Sequence, residues 1–162
     1  MLPMDITDRA TQIITLYKEA GLMAATAESC TGGMIIGSLT EISGSSSVVD
    51  RGFVTYSNEA KNELIGVDMA MIIEHGAVSA EVAQAMAEGA LARSRADAAV
   101  SVTGVAGPGG GTAEKPVGLV FMGGARKGQE AIVQKHNFSG DRSAVRKATV
   151  LAAMTMFETL VS

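Results

Sequence analysis

The chain has 162 residues, a hydrophobic content of 47% and a formal net charge of −4. This length and composition suit one domain with a substantial core, so we expect residues 1–162 to form a single domain. The negative charge and the aromatic content of 4% argue against a nucleic-acid groove, which needs clustered basic residues and often stacking rings.

The hydropathy of the chain indicates its location, and its cysteine and histidine residues indicate which disulfide and metal sites it can form. The N-terminus lacks the basic and apolar regions of a secretory signal, and no apolar run reaches membrane-spanning length. We therefore expect a cytosolic protein without membrane contact. Cys30 is the one cysteine and can form no internal disulfide, while His75 and His136 lack metal-ligand spacing. We predict no metal and no cofactor.

The first half of the chain alternates between predicted helices and strands. Apolar spacing predicts a first helix that ends at Gly21, a buried strand over 22–27 and a helix over about 31–43. A strand over 51–57 and a helix that begins near Asn58 follow. Helices and strands therefore alternate along this half of the chain, as they do in α/β domains.

The second half is predicted to contain a long helix, a buried strand, a glycine-rich loop, a hairpin of two strands and a last helix. In chain order these lie at 79–95, 98–102, 104–111, 117–125 with 130–138, and 141–161. The last helix has little polar face, so we expect it to pack on the sheet with one side and on a partner subunit with the other. A homo-oligomer follows, with a dimer as the first guess.

This order of elements predicts an α/β fold, specifically a three-layer α/β/α domain. Its sheet should be mixed and mostly parallel, with an antiparallel hairpin at the C-terminal end. Ligands in such sheets bind outside the carboxyl ends of the strands. The loops after the strands at 22–27, 51–57 and 98–102 are therefore the first places to look for function.

The segment Glu28-Ser-Cys-Thr-Gly-Gly33 joins the first strand to the next helix. Backbone N–H groups at a helix N-terminus attract anions and developing oxyanions, and glycines allow a ligand to approach closely. Ser29 is therefore a candidate nucleophile, although this segment taken alone favours Ser29 or Thr31 as a helix N-cap. Cys30 is the rival nucleophile, but cysteine is more often a small buried residue, and we favour packing for it.

Three further segments occur in the order and spacing of one known family. They are Gly52-Phe-Val-Thr-Tyr-Ser-Asn-Glu-Ala-Lys61, Ser101-Val-Thr-Gly-Val-Ala-Gly-Pro-Gly-Gly-Gly111 and Phe138-Ser-Gly-Asp-Arg142. From about Leu22 to its end the chain resembles the CinA C-terminal domain family. Within that family it is most similar to the stand-alone, PncC-type nicotinamide mononucleotide (NMN) amidohydrolases. Many CinA-type proteins carry an additional N-terminal domain, and we do not expect the activity of that domain here.

The resemblance implies a serine amidohydrolase that converts NMN to nicotinate mononucleotide and ammonia. It also implies that Ser29 is the nucleophile, Lys61 the base and Tyr56 a supporting residue. Only neutral lysine accepts a proton, so the pKa of Lys61 must lie well below its usual value of about 10.4, through burial or a nearby positive charge. The alternatives are an exposed, unpaired Lys61 on its helix and a Tyr56 hydroxyl that faces only water.

The remaining candidates would bind the substrate. Backbone amides of the glycine-rich loop could hold the carboxamide or the phosphate, with the Thr103 hydroxyl at the strand end, or the loop could be a surface segment without a ligand. Arg142 suits a phosphate, and its alternative is a pair with Asp141. The predicted substrate-binding residues are Glu28, Cys30, Thr31, Gly32, Gly33, Asn58, Thr103, Gly104, Gly107, Gly109 and Arg142.

Two other functions fit the same residues. Ser29 and Lys61 specify acyl chemistry rather than a pyridine ring, so the chain could hydrolyse another small amide or ester. The same loops could also bind a nucleotide without turnover. For NMN hydrolysis and for nucleotide binding without turnover, the expected partner is a small-molecule nucleotide.

Overall fold

The structure is a computed structural model that describes residues Met1–Ser162. It contains six helices and five strands, with one short 3-10 turn between α2 and β2. The elements in chain order are α1 (Met4–Ala20), β1 (Ala24–Glu28), α2 (Met34–Thr40), β2 (Val49–Val54), α3 (Asn58–Ile65), α4 (Met69–His75), α5 (Ala80–Ala92), β3 (Ala98–Gly104), β4 (Leu119–Arg126), β5 (Ile132–Asn137) and α6 (Arg142–Val161).

The five strands form one mixed sheet in the order β2-β1-β3-β4-β5. β1 pairs in parallel with both β2 and β3, whereas β3 with β4 and β4 with β5 are antiparallel. The predicted mixed sheet and C-terminal hairpin are confirmed. β4 returns from β3 through the segment 105–118 without a crossover helix and pairs with β3 in the antiparallel direction.

Helices cover both faces of the sheet, which confirms the three-layer α/β/α arrangement. A core cluster of 23 buried residues lies between the sheet and α1, α2 and α6, and a second cluster of 10 lies between the sheet and the α3–α5 side. β1 is buried along its whole length. Its first two residues, Ala24 and Ala25, belong to the two different clusters. Side chains of a strand alternate between faces, so this central strand contributes to both cores.

Two helices differ from the prediction. The helix expected over 31–43 begins only at Met34, because Gly32 and Gly33 have φ values of 59° and 99°, which an α-helix does not allow. α4 was not predicted; it begins after the N-cap Asp68 and ends at Gly76, and it is too short to show a clear apolar period.

The apolar residues of the last helix pack within its own chain. α6 contacts β3 and β4 with one side and α1 and α2 with the other. The Tyr17 hydroxyl of α1 donates to the carbonyl of Phe157 at 2.8 Å, and the two rings meet edge to face at 5.6 Å. α1 therefore covers the side that the sequence assigns to a partner subunit. None of the helices combines the length and the apolar character needed to cross a bilayer.

Gly89 marks the closest approach of α5 to the end of α3. A Cβ atom at Gly89 would lie 2.0 Å from the carbonyl oxygen of Ile65, whereas a Cβ at Gly37 in α2 would meet no atom within 4 Å. We expect Gly89→Ala to lower the free energy of unfolding by about 1–3 kcal/mol, because backbone must move. We expect the matched Gly37→Ala to raise it by about 0.5–1 kcal/mol through helix propensity. Chemical denaturation measures both, and equal effects would contradict this packing.

Candidate active site

A cavity of about 270 Å³ opens at the carboxyl ends of the parallel strands. Its walls come from the residues that follow β1 and β2, from the end of β3, from α3, from the residues before α5 and from the first turn of α6. This is the edge at which open α/β sheets bind ligands. The lining residues are Ser29, Cys30, Tyr56, Asn58, Lys61, Ala77, Val78, Thr103, Gly104, Ala106 and Arg142.

Ser29 and Lys61 meet at the floor of this cavity. Ser29 directly follows β1, and Lys61 lies on α3 with its side chain turned inward. Lys61 Nζ is 3.1 Å from Ser29 Oγ and donates to the carbonyl of Thr55 at 2.7 Å. A neutral amine that donates to this carbonyl still has a lone pair for the serine proton. A hydroxyl and an amine at this distance have the geometry that proton transfer from a nucleophile to a base requires.

The surroundings of Lys61 favour the neutral amine. Lys61 is only 1% exposed, so it is not the exposed helical lysine that the sequence also allowed. No carboxylate forms an ion pair with its amine. Burial lowers the pKa of Lys61, and the neighbouring Cys30 opposes that shift to a smaller extent.

Cys30 is a buried thiol beside the dyad. It belongs to the main core cluster, and burial raises its pKa to about 11. The thiol is therefore protonated near neutral pH, and a protonated thiol is a poor nucleophile. Its backbone has a separate role, since the carbonyl of Cys30 accepts from Arg146 Nε at 3.0 Å and that of Thr31 from Arg146 Nη2 at 3.2 Å.

Tyr56 and Arg142 lie at the mouth of the cavity. Tyr56 is 64% exposed, and its hydroxyl is 3.5 Å from Arg142 Nη2. Arg142 Nη1 donates to the carbonyl of Gly107 at 2.8 Å. Arg142 does not pair with Asp141, which instead caps α6 by accepting from the N–H of Ala144 at 2.9 Å. The guanidinium thus keeps an uncompensated charge at the entrance.

The segment before α5 forms a wall that the sequence analysis missed. The Thr103 hydroxyl donates to the carbonyl of Ala77 at 2.8 Å and so fixes Ala77 and Val78 against the end of β3. Gly104 permits a second close approach, between the end of β3 and β4, since a Cβ there would lie 2.6 Å from Val120 Cγ2. The available signal was indirect: Ser79 is an N-cap residue, and the chain just before a sheet-packed helix can reach the strand ends.

The structure brings some predicted site residues together and leaves others outside the cavity. Those that line it are Ser29, Cys30, Tyr56, Asn58, Lys61, Thr103, Gly104 and Arg142. Those that do not are Glu28, Thr31, Gly32, Gly33, Gly107 and Gly109. Glu28 and Thr31 are fully buried and bonded to each other, whereas Gly109 is exposed with open space around it.

The charge of the cavity suits an anionic ligand. Lys61 and Arg142 are its two basic residues, and no Asp or Glu lines it. No cluster of three or more His, Cys, Asp or Glu side chains in the molecule is arranged to hold a metal ion. The functional groups that line the cavity are hydroxyls, a thiol, an amide, an amine and a guanidinium.

The sequence matches the model of the CinA C-terminal domain family over residues 6–161. It is 47% identical to the nicotinamide-nucleotide amidohydrolase PncC of Escherichia coli strain K12 over 159 residues, which cover 98% of this chain and 96% of that protein. It is also 50% identical to a putative competence-damage inducible protein of Caldicellulosiruptor bescii over 144 residues. That match covers 89% of this chain but only 35% of the longer protein.

The fold has a near-identical counterpart among solved structures. The crystal structure of the competence/damage inducible protein CihA from Agrobacterium tumefaciens superposes with a TM-score of 0.97 at 50% sequence identity. The superposition covers 100% of this chain and 99% of that one. The similarity therefore extends over the sheet, both helical layers and every segment that lines the cavity.

The buried Lys61 makes the stability of the chain depend on pH in a defined direction. Because the folded chain lowers the pKa of Lys61, the unfolded chain binds the proton more tightly, and stability rises with pH between the folded pKa and the unfolded value of about 10.4. Lys61→Met removes this contribution. We therefore expect the stability of Lys61→Met relative to the native chain to be highest at low pH and to fall as pH rises toward that value.

Denaturation curves at several pH values measure this difference. The exposed Lys18 of α1 provides the matched control, Lys18→Met, for the loss of one positive charge. A stability difference for Lys61→Met that does not change with pH would contradict a lowered pKa.

Proposed function

The chain belongs to the CinA C-terminal domain family, and from this premise we propose that it hydrolyses the carboxamide of NMN to nicotinate mononucleotide and ammonia. A near full-length relative, 47% identical, is named a nicotinamide-nucleotide amidohydrolase, which supports this substrate. The observation that carries the reaction type is the contact between Ser29 Oγ and Lys61 Nζ at 3.1 Å inside a cavity. The activity proposed is only that of the matched domain, not of the longer relatives.

The proposed chemistry proceeds in two steps through an acyl-enzyme. Ser29 Oγ attacks the carboxamide carbon while Lys61 Nζ takes the hydroxyl proton. Lys61 then returns this proton to the leaving nitrogen, the C–N bond breaks and ammonia departs. Water, deprotonated by Lys61, attacks the ester and releases the nicotinate carboxylate, and Ser29 regains its proton. The carbonyl of Thr55 holds the amine in place throughout.

We assign the nucleotide part of the substrate to the mouth of the cavity. Arg142 has one guanidinium nitrogen bonded to Gly107 and the other directed toward Tyr56, with no carboxylate neighbour. A phosphate there would receive charge-assisted hydrogen bonds. Tyr56 lines the same cavity as Ser29 and Lys61 and could donate to the substrate or to this pair.

The other predicted residues divide by their position. Cys30, Asn58, Thr103 and Gly104 line the cavity, and we propose that they contact the substrate. The remainder lie behind or beside it, and we propose that they shape its walls. They are Glu28, Thr31, Gly32, Gly33, Gly107 and Gly109.

Two further expectations belong to this proposal. We propose a cytosolic location, which suits a single buried cysteine that has no partner for a disulfide. We also propose a homo-oligomer, with a dimer first. The exposed apolar side chains Leu64 and Ile73, 46% and 80% exposed on the adjoining α3 and α4, support a self-association surface, since α6 is already covered.

Ammonia release from NMN in the presence of a chelator tests the function. We expect the native chain to turn over, and Ser29→Ala and Lys61→Ala each to lose about a thousandfold or more of kcat, because nucleophile and base act as a unit. Ser47→Ala and Lys18→Ala, both at exposed positions, serve as matched controls. A folded native chain that releases no ammonia would sink the NMN assignment, and a panel of other small amides and esters would then be the next assay.

Arg142→Gln tests the phosphate assignment. We expect kcat/KM for NMN to fall by about 10- to 100-fold, the size of one lost charge-assisted contact. Nicotinamide riboside has the same ring and sugar without the phosphate, so its kcat/KM should change little. Steady-state kinetics with both substrates measure the ratio, and an equal loss for the two would place Arg142 away from the phosphate.

A further inference from the structure

Glu28 ends β1 with a carboxylate that is fully buried and does not line the cavity. Its Oε1 accepts from the Thr31 hydroxyl at 2.7 Å and from the N–H of Ile35 at 2.8 Å. Its Oε2 accepts from the N–H of Ile36 at 2.9 Å and from the Thr26 hydroxyl at 3.1 Å. Each oxygen thus has two donors from this chain, and the carboxylate is satisfied without a ligand.

These bonds replace a cap that α2 lacks. The N-cap residue of α2 is Gly33, which has no side chain to accept from the first N–H groups of the helix. The Glu28 carboxylate accepts from two of them and places a negative charge at the positive end of the helix. Burial of a carboxylate is costly without such partners, so the turn and the helix start must keep this one arrangement.

The main chain on either side of Ser29 is fixed as well. The Glu28 carbonyl accepts from the N–H of Thr55 at 2.8 Å, and the Ser29 N–H donates to the carbonyl of Val102 at 3.1 Å. The Ser29 carbonyl accepts from the N–H of Gly32 at 3.1 Å, which closes the turn. Ser29 therefore lies between a strand end held by both neighbouring strands and a turn held by the Glu28 side chain.

We propose that Glu28 is a positioning residue that fixes Ser29 against Lys61. The inference rests on the proposed role of Ser29 as nucleophile. By tying Thr31 and the start of α2 to the end of β1, the carboxylate holds the turn in one conformation and keeps Ser29 Oγ 3.1 Å from Lys61 Nζ. This assigns Glu28 a different role from the substrate contact that the family resemblance implies.

Glu28→Gln is the direct test, because glutamine keeps the size of the side chain but turns one acceptor oxygen into an NH₂ group that faces other donors. We expect kcat for NMN to fall about 100-fold with KM changed by less than about twofold, since a displacement of about 1 Å can cost that much. The rate at which an alkyl fluorophosphonate modifies Ser29 should fall in parallel. That rate measures the nucleophile without the substrate.

Thr31→Val and Ser38→Ala form a matched pair that does not depend on the folding of Glu28→Gln. Each removes one buried hydroxyl, but Thr31 donates to Glu28 whereas Ser38 donates to the carbonyl of Met34 within α2. We expect Thr31→Val to lower kcat and the modification rate about tenfold at unchanged KM, and Ser38→Ala to leave both within about twofold. Melting temperatures confirm that both variants are folded.

Native kcat and native modification rates in folded Glu28→Gln or Thr31→Val would overturn the proposal. So would a raised KM with unchanged kcat, because that result places these side chains in contact with the substrate. A native chain that is modified at Ser29 but releases no ammonia from NMN contradicts only the proposed substrate, and the modification rates still decide the role of Glu28. A native chain whose Ser29 is not modified and that releases no ammonia from NMN overturns both proposals.

Discussion

The site depends on one feature of the sheet, the parallel pairing of β1 with a strand on each side. Because β2, β1 and β3 run in the same direction, their carboxyl ends meet at one edge. Ser29 follows β1 and Thr55 follows β2, so both lie at this edge, where Lys61 Nζ contacts the Ser29 hydroxyl and the Thr55 carbonyl. A single-residue slip of β1 against β2 would turn the side chains of β1 to the opposite face and separate the Ser29 hydroxyl from the Lys61 amine.

The groups at this edge also explain how the fold accommodates a buried lysine amine. Burial of an amine is unfavourable while it carries a proton, and the chain reduces that cost by offering the Thr55 carbonyl and the Ser29 hydroxyl as partners. No carboxylate is placed nearby to hold the amine charged. Catalytic sites commonly contain such locally unfavourable groups, and the rest of the fold supplies the stability that they lack. Here the two apolar cores on either side of the alanine-rich β1 supply it.

The sequence predicts the layers, the hairpin and the loops at the active edge, because these follow from apolar periodicity and turn residues. The sequence predicts a contact less well when that contact depends on the direction of a side chain rather than on its spacing along the chain. Glu28 has the same place in the motif whether its carboxylate faces a ligand or the backbone of α2, and only the structure shows the second arrangement. Ala77 and Val78 carry no chemical signal of their own, so their place in the cavity follows only from the packing of Thr103. The late start of α2 likewise depends on the conformations of Gly32 and Gly33.

The charge of the cavity bears on the last stage of the proposed reaction. Hydrolysis replaces a neutral carboxamide by a carboxylate, while Lys61 and Arg142 are the only basic side chains that line the cavity. The product therefore carries one more negative charge than the substrate into surroundings without an opposing carboxylate, where any protonated Lys61 attracts it. Attraction of this kind slows the departure of the product. The exposure of Tyr56 and Arg142 at the mouth, where water can solvate the departing anion, offsets this retention.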